Sequence, residues 1–209
     1  MATRIYHITH IDNLASILRS GGLVSTTRRL SEVIQHTDIA HSHIQDRRSK
    51  VQVPCSAGGV LHNYVPFYFA PRSPMLFSNY KRNVAGYQGG QPPILHLVTT
   101  SEAVQTAKLP CCFTDGHAAM NYAEFYDDLS LLETTIDWKL MEAKYWCDTE
   151  EDPNRQFRRN AEFLVHDFVP WSLMIGIAVM DEAMKRQVDQ VLQSFSYKTP
   201  VKVYPKYYY

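Results

Sequence analysis

The stretch IYHITHIDNLASILRSGGL, residues 5–23, decides the fold because three kinds of local structure follow one another inside it. A short apolar run ends at His7 and Thr9. Ile11, Leu14, Ala15 and Leu18 then fall on one face of a helix, and Gly21-Gly22 stops it. Where a strand ends, backbone N–H and C=O groups leave the ladder, so His7 to Thr9 offer main-chain and side-chain hydrogen bonds to a ligand. Pattern alone makes His7 and Thr9 ordinary strand residues more often than ligand contacts.

At 209 residues the chain is long enough for one good-sized core and nothing in it demands a second, so a single domain over residues 1–209 is expected. Hydrophobic residues make up 45% and charged residues 20%, the balance of a globular chain rather than a disordered one. No apolar run approaches membrane-spanning length, and no basic segment followed by a sustained apolar stretch opens the sequence. A cytoplasmic location without a membrane partner is expected. Cys55, Cys111, Cys112 and Cys147 form neither a CxxC pair nor a dense framework, which points to reduced thiols rather than disulfides. The net charge of zero conceals an asymmetry: residues 1–100 hold ten Lys/Arg against four Asp/Glu, and residues 101–209 eleven against seventeen. A basic half is compatible with a local patch for polyanions, unless folding interleaves the two halves.

From Ser25 to Lys50 the apolar pattern loosens into a predicted loop with one or two helical turns, carrying Arg28, Arg29, Arg47, Arg48 and Lys50. Pro54 to Gly59 reads as a turn and Tyr64 to Phe69 as an aromatic strand, in which Pro66 predicts an edge or a bulge. Ser73-Pro74 is a helix-start signal for Arg72 to Tyr80. Further strands are expected at Ile94–Val98, Cys111–Thr114, Ala161–Val169, Leu173–Val179 and Val201–Tyr204. Helices are expected at Ser101–Ala107, Ala118–Leu132, Asp137–Trp146 and Asp181–Phe195, with a turn at Asp115-Gly116-His117 and a polar loop from Cys147 to Asn160. Short strands and short helices without regular βαβ alternation indicate an α+β fold.

Glu162 is the most informative single residue: in Ala161-Glu162-Phe163-Leu164-Val165 a carboxylate interrupts an apolar strand, and alternation puts it on the face of Leu164. Burying it unpaired costs several kcal/mol in general, a cost commonly tolerated at functional sites. A strand-end glutamate facing solvent, or paired with Arg158 or Arg159, explains the position equally well. His41 and His43 form an HxH with no second clustered pair, so no metal site is expected, and the absence of GxGxxG gives no support to a Rossmann site.

YHITHIDNL, HIQDRRSK, GGVLHNYVPFYFAPRSPMLF, YQGGQPPILHLV, LPCCFTDGH and NAEFLV occur here in the order seen in the DarT family of NAD-dependent DNA ADP-ribosyltransferase toxins, and the chain resembles its thymidine-modifying branch over most of its length. The resemblance implies an ADP-ribosyltransferase-like α+β fold with a split, mixed β-sheet core and peripheral helices. It implies transfer of ADP-ribose from NAD to a thymidine base in single-stranded DNA, without a metal, by the toxin of a pair whose antitoxin is a macrodomain protein. A catalytically silent single-stranded nucleic-acid-binding module, or an ADP-ribosyltransferase acting on RNA or protein, is the alternative.

Residue by residue, the resemblance makes Glu162 the catalytic carboxylate. An oxocarbenium-like transition state, formed as the nicotinamide–ribose bond breaks, is stabilised by a nearby carboxylate that also accepts from a ribose hydroxyl. Arg48 is the second catalytic residue and also touches NAD; its pKa makes an arginine a poor base, so its plain chemical role is electrostatic. Without the family it reads as a surface arginine paired with Asp46. NAD contacts are implied for His7, Ile8, Thr9, Ser16 and Val24, and DNA contacts for Tyr68, Arg72, Met75 and His117. Aromatic and cationic residues together suit an unpaired strand. For most of Tyr64, Phe67, Tyr68 and Phe69, however, the ordinary expectation is a packed strand.

Overall fold

The computed structural model describes residues 2–209. In chain order the elements are β1 (Arg4–His10), α1 (Leu14–Arg19), β2 (Gly22–Val24), α2 (Thr26–Ser31), α3 (Ser42–Arg48), β3 (Tyr64–Tyr68), α4 (Pro74–Tyr80), β4 (Ile94–Thr100), α5 (Ser101–Thr106), β5 (Cys111–His117), β6 (Phe125–Tyr126), α6 (Leu132–Thr135), α7 (Trp138–Glu142), α8 (Arg155–Arg159), β7 (Ala161–His166), β8 (Phe168–Pro170), β9 (Gly176–Val179), α9 (Glu182–Ser194) and β10 (Val201–Val203). Eight strands form one sheet in the order β10-β9-β4-β1-β3-β7-β5-β6, and β2 and β8 pair separately. Only β9 and β10 run parallel, so the sheet is mixed. The architecture is α+β, as expected.

Alternation along the strands sorts side chains between layers. Ile5, Phe163 and Val165 point into the main core with Leu14 and Leu18 of α1 and Val188 and Leu192 of α9. Ile8 and Ile94 point the other way, against Leu76 of α4 and Tyr208. Leu164 joins a third cluster with Val53, Leu61 and Tyr64. Glu162 therefore shares the face of Leu164, as the pattern of AEFLV predicted. Tyr64, Phe67 and Phe69 are packed into the interior.

Pro66 corrects an expectation. Its strand, β3, lies inside the sheet between β1 and β7 rather than at an edge. The Pro66 carbonyl faces β1, where it accepts from the His7 ring, and a proline offers no N–H on that side. Pairing of β1 with β3 is confined to Tyr6 opposite Tyr68, whereas β3 pairs with β7 from Tyr64 to Tyr68. The proline thus sits at an internal split in the sheet, which resolves its conflict with a central position.

Other boundaries also differ. Asp115-Gly116-His117 is the end of β5 rather than a turn. Ala118–Leu132 is a turn, the two-residue β6 and a 3-10 segment at Leu129–Leu131, because Asp128 caps that segment instead of continuing a helix. The helix expected over Asp137–Trp146 is limited to α7, the Cys147–Asn160 loop contains α8, and the strand expected from Leu173 begins at Gly176. Ser73 caps α4 through Leu76 N–H, as its sequence indicates, and of Thr100 and Ser101, either of which the sequence allows as the cap of α5, it is Thr100 that accepts from Ala103 N–H.

Candidate active site

The split opens into a cavity of about 360 Å³ whose wall is built from both halves of the sheet. Strand β1 supplies His7, Ile8 and Thr9, and α1 and β2 add Ser16 and Val24. The far side carries Tyr68, His117 and Glu162, with Arg48 entering from the last turn of α3 and Met75 from the first turn of α4. Of the catalytic, NAD and DNA contacts that the resemblance implies, only Arg72 lies off this cavity. Its guanidinium is 4.3 Å over the ring of Tyr209, and its carbonyl accepts from Tyr209 Oη and Arg159 Nη2.

Glu162 is 3% exposed, and both its oxygens accept from Arg48 Nη1, at 2.9 and 2.8 Å. The sequence alternatives are thereby corrected: Glu162 pairs with neither Arg158 nor Arg159, and Arg48 does not pair with Asp46. His117 Nδ1 stands 3.8 Å from Glu162 Oε1, and Tyr68 lies directly opposite Glu162 across the β3–β7 pair. Burial is the largest influence on the Glu162 carboxyl and pushes its pKa up, but Arg48 and His117 together outweigh it and hold the pKa below the ordinary carboxylate value. The group is a carboxylate at neutral pH. Burial, reinforced by that carboxylate, raises the Tyr68 pKa and keeps its phenol neutral. Arg48 is itself 8% exposed, and its Nη2 is buried without a partner. A guanidinium nitrogen in that state is poised to donate to a ligand.

On the β1 side, His7 Nδ1 donates to Pro66 O at 2.8 Å, which leaves Nε2 as an acceptor. Burial lowers its pKa against the opposing effect of that bond, so the ring is neutral. Thr9 Oγ1 accepts from Asn13 Nδ2, and Asn13 also exchanges bonds with the backbone of Thr37 at 2.7 and 3.0 Å. Asn13 thus ties the floor of the cavity to the coil over it, and that coil brings His36 into the lining, where burial and Arg29 lower its pKa to about 4. Sequence reading missed Asn13, His36, Ser78 and Asn160. Of the three residues Ile11–Asn13 that join β1 to α1, Asn13 is the buried one. No group of three or more His, Cys, Asp or Glu residues suited to a metal occurs among the described residues.

A family model described as ssDNA thymidine ADP-ribosyltransferase, DarT, matches residues 6–209. A DNA ADP-ribosyl transferase of Thermus sp. (strain 2.9) is 46% identical over 193 residues, which is 92% of this chain and 88% of that protein. The solved structure of Thermus sp. 2.9 DarT in complex with ADP-ribosylated ssDNA superposes with a TM-score of 0.92 at 43% identity, covering 100% of this chain and 97% of that one. The complex of that protein with NAD+ gives 0.89 at 40%, covering 100% and 98%. More distantly, a DNA ADP-ribosyl transferase-DNA ADP-ribosyl glycohydrolase fusion protein of Thermosipho africanus is 28% identical over 192 residues, 91% of this chain and 46% of that protein. With the whole length from Tyr6 onward matched, the chain belongs to the DarT family of ssDNA thymidine ADP-ribosyltransferases.

Proposed function

We propose that this chain transfers ADP-ribose from NAD+ to a thymine ring nitrogen in single-stranded DNA, with Glu162 and Arg48 as its catalytic pair. The observation that carries the assignment is a buried carboxylate held ionised in a cavity wall by an arginine that still has a free, buried N–H group. As the nicotinamide–ribose bond lengthens, positive charge develops at the ribose, and the Glu162 carboxylate stabilises that charge more than it stabilises bound NAD+. Arg48 keeps Glu162 charged and donates through Nη2 to substrate. Nicotinamide leaves neutral, the new bond forms from ribose C1′ to the thymine nitrogen, and that nitrogen gives up its proton to solvent. Arg48 favours this loss electrostatically, by stabilising the anionic edge of the base.

His7, Ile8, Thr9, Ser16 and Val24 hold NAD+ on the β1 side, and Tyr68, Met75 and His117 hold the acceptor strand opposite. Arg72 reaches DNA only from outside the cavity, through the surface beside Tyr209. A pairing edge must be exposed before it reacts, which selects single strands. The fusion of the Thermosipho relative to a DNA ADP-ribosyl glycohydrolase supports a toxin paired with an antitoxin that removes the modification; a macrodomain antitoxin and action in the cytoplasm belong to the same proposal. Among the described residues no helix is long and apolar enough to cross a membrane.

The test is mass spectrometry of a mixed pool of thymidine-containing oligonucleotide, the same strand annealed to its complement, RNA and protein, incubated with NAD+. A single ADP-ribose on the free strand, lost when every thymidine is replaced, is expected. Labelling of RNA or protein alone, or equal rates on free and annealed strands, overturns the acceptor assignment.

A further inference from the structure

Behind the catalytic face, the pairing of β5 with β7 carries an irregularity centred on Glu162. Cys111, Cys112 and Phe113 face Val165, Leu164 and Phe163 in register, and pairing resumes at His117 opposite Ala161. Thr114, Asp115 and Gly116 therefore oppose Glu162 alone. In the register kept up to Phe113, the main chain of Thr114 would take the Glu162 N–H; the bulge carries that main chain away. The side chain takes its place: Thr114 Oγ1 accepts from Glu162 N at 3.1 Å and donates to Gly116 O at 2.7 Å. Thr114 is fully buried and is not among the residues lining the cavity.

The outer side of the bulge is closed by Phe157 of α8. A Cβ on Gly116 would lie 2.3 Å from Phe157 Cε1, so the ring occupies the space a side chain would need. One hydroxyl inside and one aromatic ring outside fix three residues, and the next residue along is His117, whose ring stands beside Glu162.

We propose that Thr114 is a positioning residue for the reaction: its hydroxyl replaces a missing ladder acceptor, sets the orientation of Glu162, and through the bulge sets where His117 meets it. The inference rests on Glu162 being the catalytic carboxylate. Thr114 touches neither substrate, so it governs turnover without governing affinity. Because the bulge orients a group needed for breaking the nicotinamide bond, NAD+ hydrolysis and DNA transfer depend on it together.

Thr114→Val keeps the shape and removes the hydroxyl, leaving the Glu162 N–H buried without an acceptor; Thr114→Ser keeps the hydroxyl. Per folded enzyme, Thr114→Val is expected to lower kcat for nicotinamide release and for transfer alike, by roughly 10- to 100-fold, the scale of a misplacement of about 1 Å. KM for NAD+ stays within about 3-fold, as expected of a group outside the cavity, and Thr114→Ser recovers most of the rate. Thr114→Cys, a weak acceptor of similar size to serine, replaces the valine variant if that does not fold. A wild-type kcat in the folded hydroxyl-free variant overturns the proposal, as does a serine variant as slow as valine or cysteine, or a loss confined to thermal stability. Glu162→Ala is measured in parallel: if it retains transfer, the assignment of Glu162 has failed, whereas an inactive Glu162→Ala beside a normal Thr114→Val refutes the role of Thr114 alone.

Discussion

Replacing Glu162 by glutamine isolates the charge from the shape. Glutamine fills the same volume and keeps one oxygen to accept from Arg48 Nη1, so the cavity wall and the β7 strand are expected to persist. What disappears is a full negative charge on a group 3% exposed in the cavity wall. A unit charge about 4 Å from a developing unit of positive charge, at an effective dielectric constant of about 20, contributes about 4 kcal/mol, which converts to roughly a thousandfold in rate. That figure matches the typical effect of removing one preorganised electrostatic contact. The assay is nicotinamide release from NAD+ with and without a thymidine-containing strand, together with calorimetric NAD+ binding. Both rates are expected to fall about a thousandfold while NAD+ affinity changes little. A folded Glu162→Gln protein that turns over within about tenfold of wild type refutes charge stabilisation as the main contribution of this residue.

Arg48→Ala is expected to depress DNA transfer more than NAD+ hydrolysis, and time courses of both products measure the split. It also shifts the acid limb of hydrolysis to higher pH: burial raises the Glu162 pKa and Arg48 is the main group opposing it, so without Arg48 the carboxylate protonates at higher pH. An unmoved limb refutes that coupling. His96 is fully buried, donates through Nε2 to Pro71 O at 2.9 Å, and is shifted by burial from 6.5 down to about 4. The unfolded chain takes up this proton below pH 6.5 and the folded chain does not until about pH 4, so the contribution is present above pH 6.5 and lost across that window, up to about 3 kcal/mol. Denaturant titrations of wild type and His96→Gln between pH 7 and pH 4 test this through the difference in slope. Gly22→Ala places a Cβ 2.1 Å from Val169 O and 2.9 Å from Trp171 N, both main-chain atoms, whereas Gly21→Ala meets nothing within 4 Å and only the strain of φ +73°. Thermal melts are expected to show a loss of about 2–4 kcal/mol for Gly22→Ala and about 1 kcal/mol for Gly21→Ala; the reverse order contradicts the packing argument.

Local signals carried a good part of this fold. The strand, turn and helix of residues 5–23, the Ser73 cap, and the facing of Glu162 all follow from periodicity or capping within a few residues. Pro66 was misread because the preference of proline for edges assumes that an interior strand is paired along both sides, and here the β1 side is open. Ala118–Leu132 was misread because its apolar residues are not buried along one helical face: Ala118 and Ala119 pack together in one cluster and Leu132 in another. At the site, a carboxylate within AEFLV announced itself, but its partner did not: Arg48 lies 114 residues away, and nothing local distinguishes it from Arg47, which reaches Met120 instead. The Thr114 bulge was equally silent, since DG after a strand has the composition of a turn.

The narrow junction between β1 and β3 has a mechanical consequence. Strands β10, β9, β4 and β1 form one leaf of the sheet and β3, β7, β5 and β6 the other, and across this seam main-chain pairing is limited to Tyr6 and Tyr68, beside the His7–Pro66 bond. A molecule gripped at once by His7 to Thr9 on one leaf and by Glu162 and Tyr68 on the other acts as a brace over the seam. Occupancy then stiffens the whole sheet by mass action, and amide exchange in β1 and β3 is expected to slow together even where the bound molecule touches neither backbone.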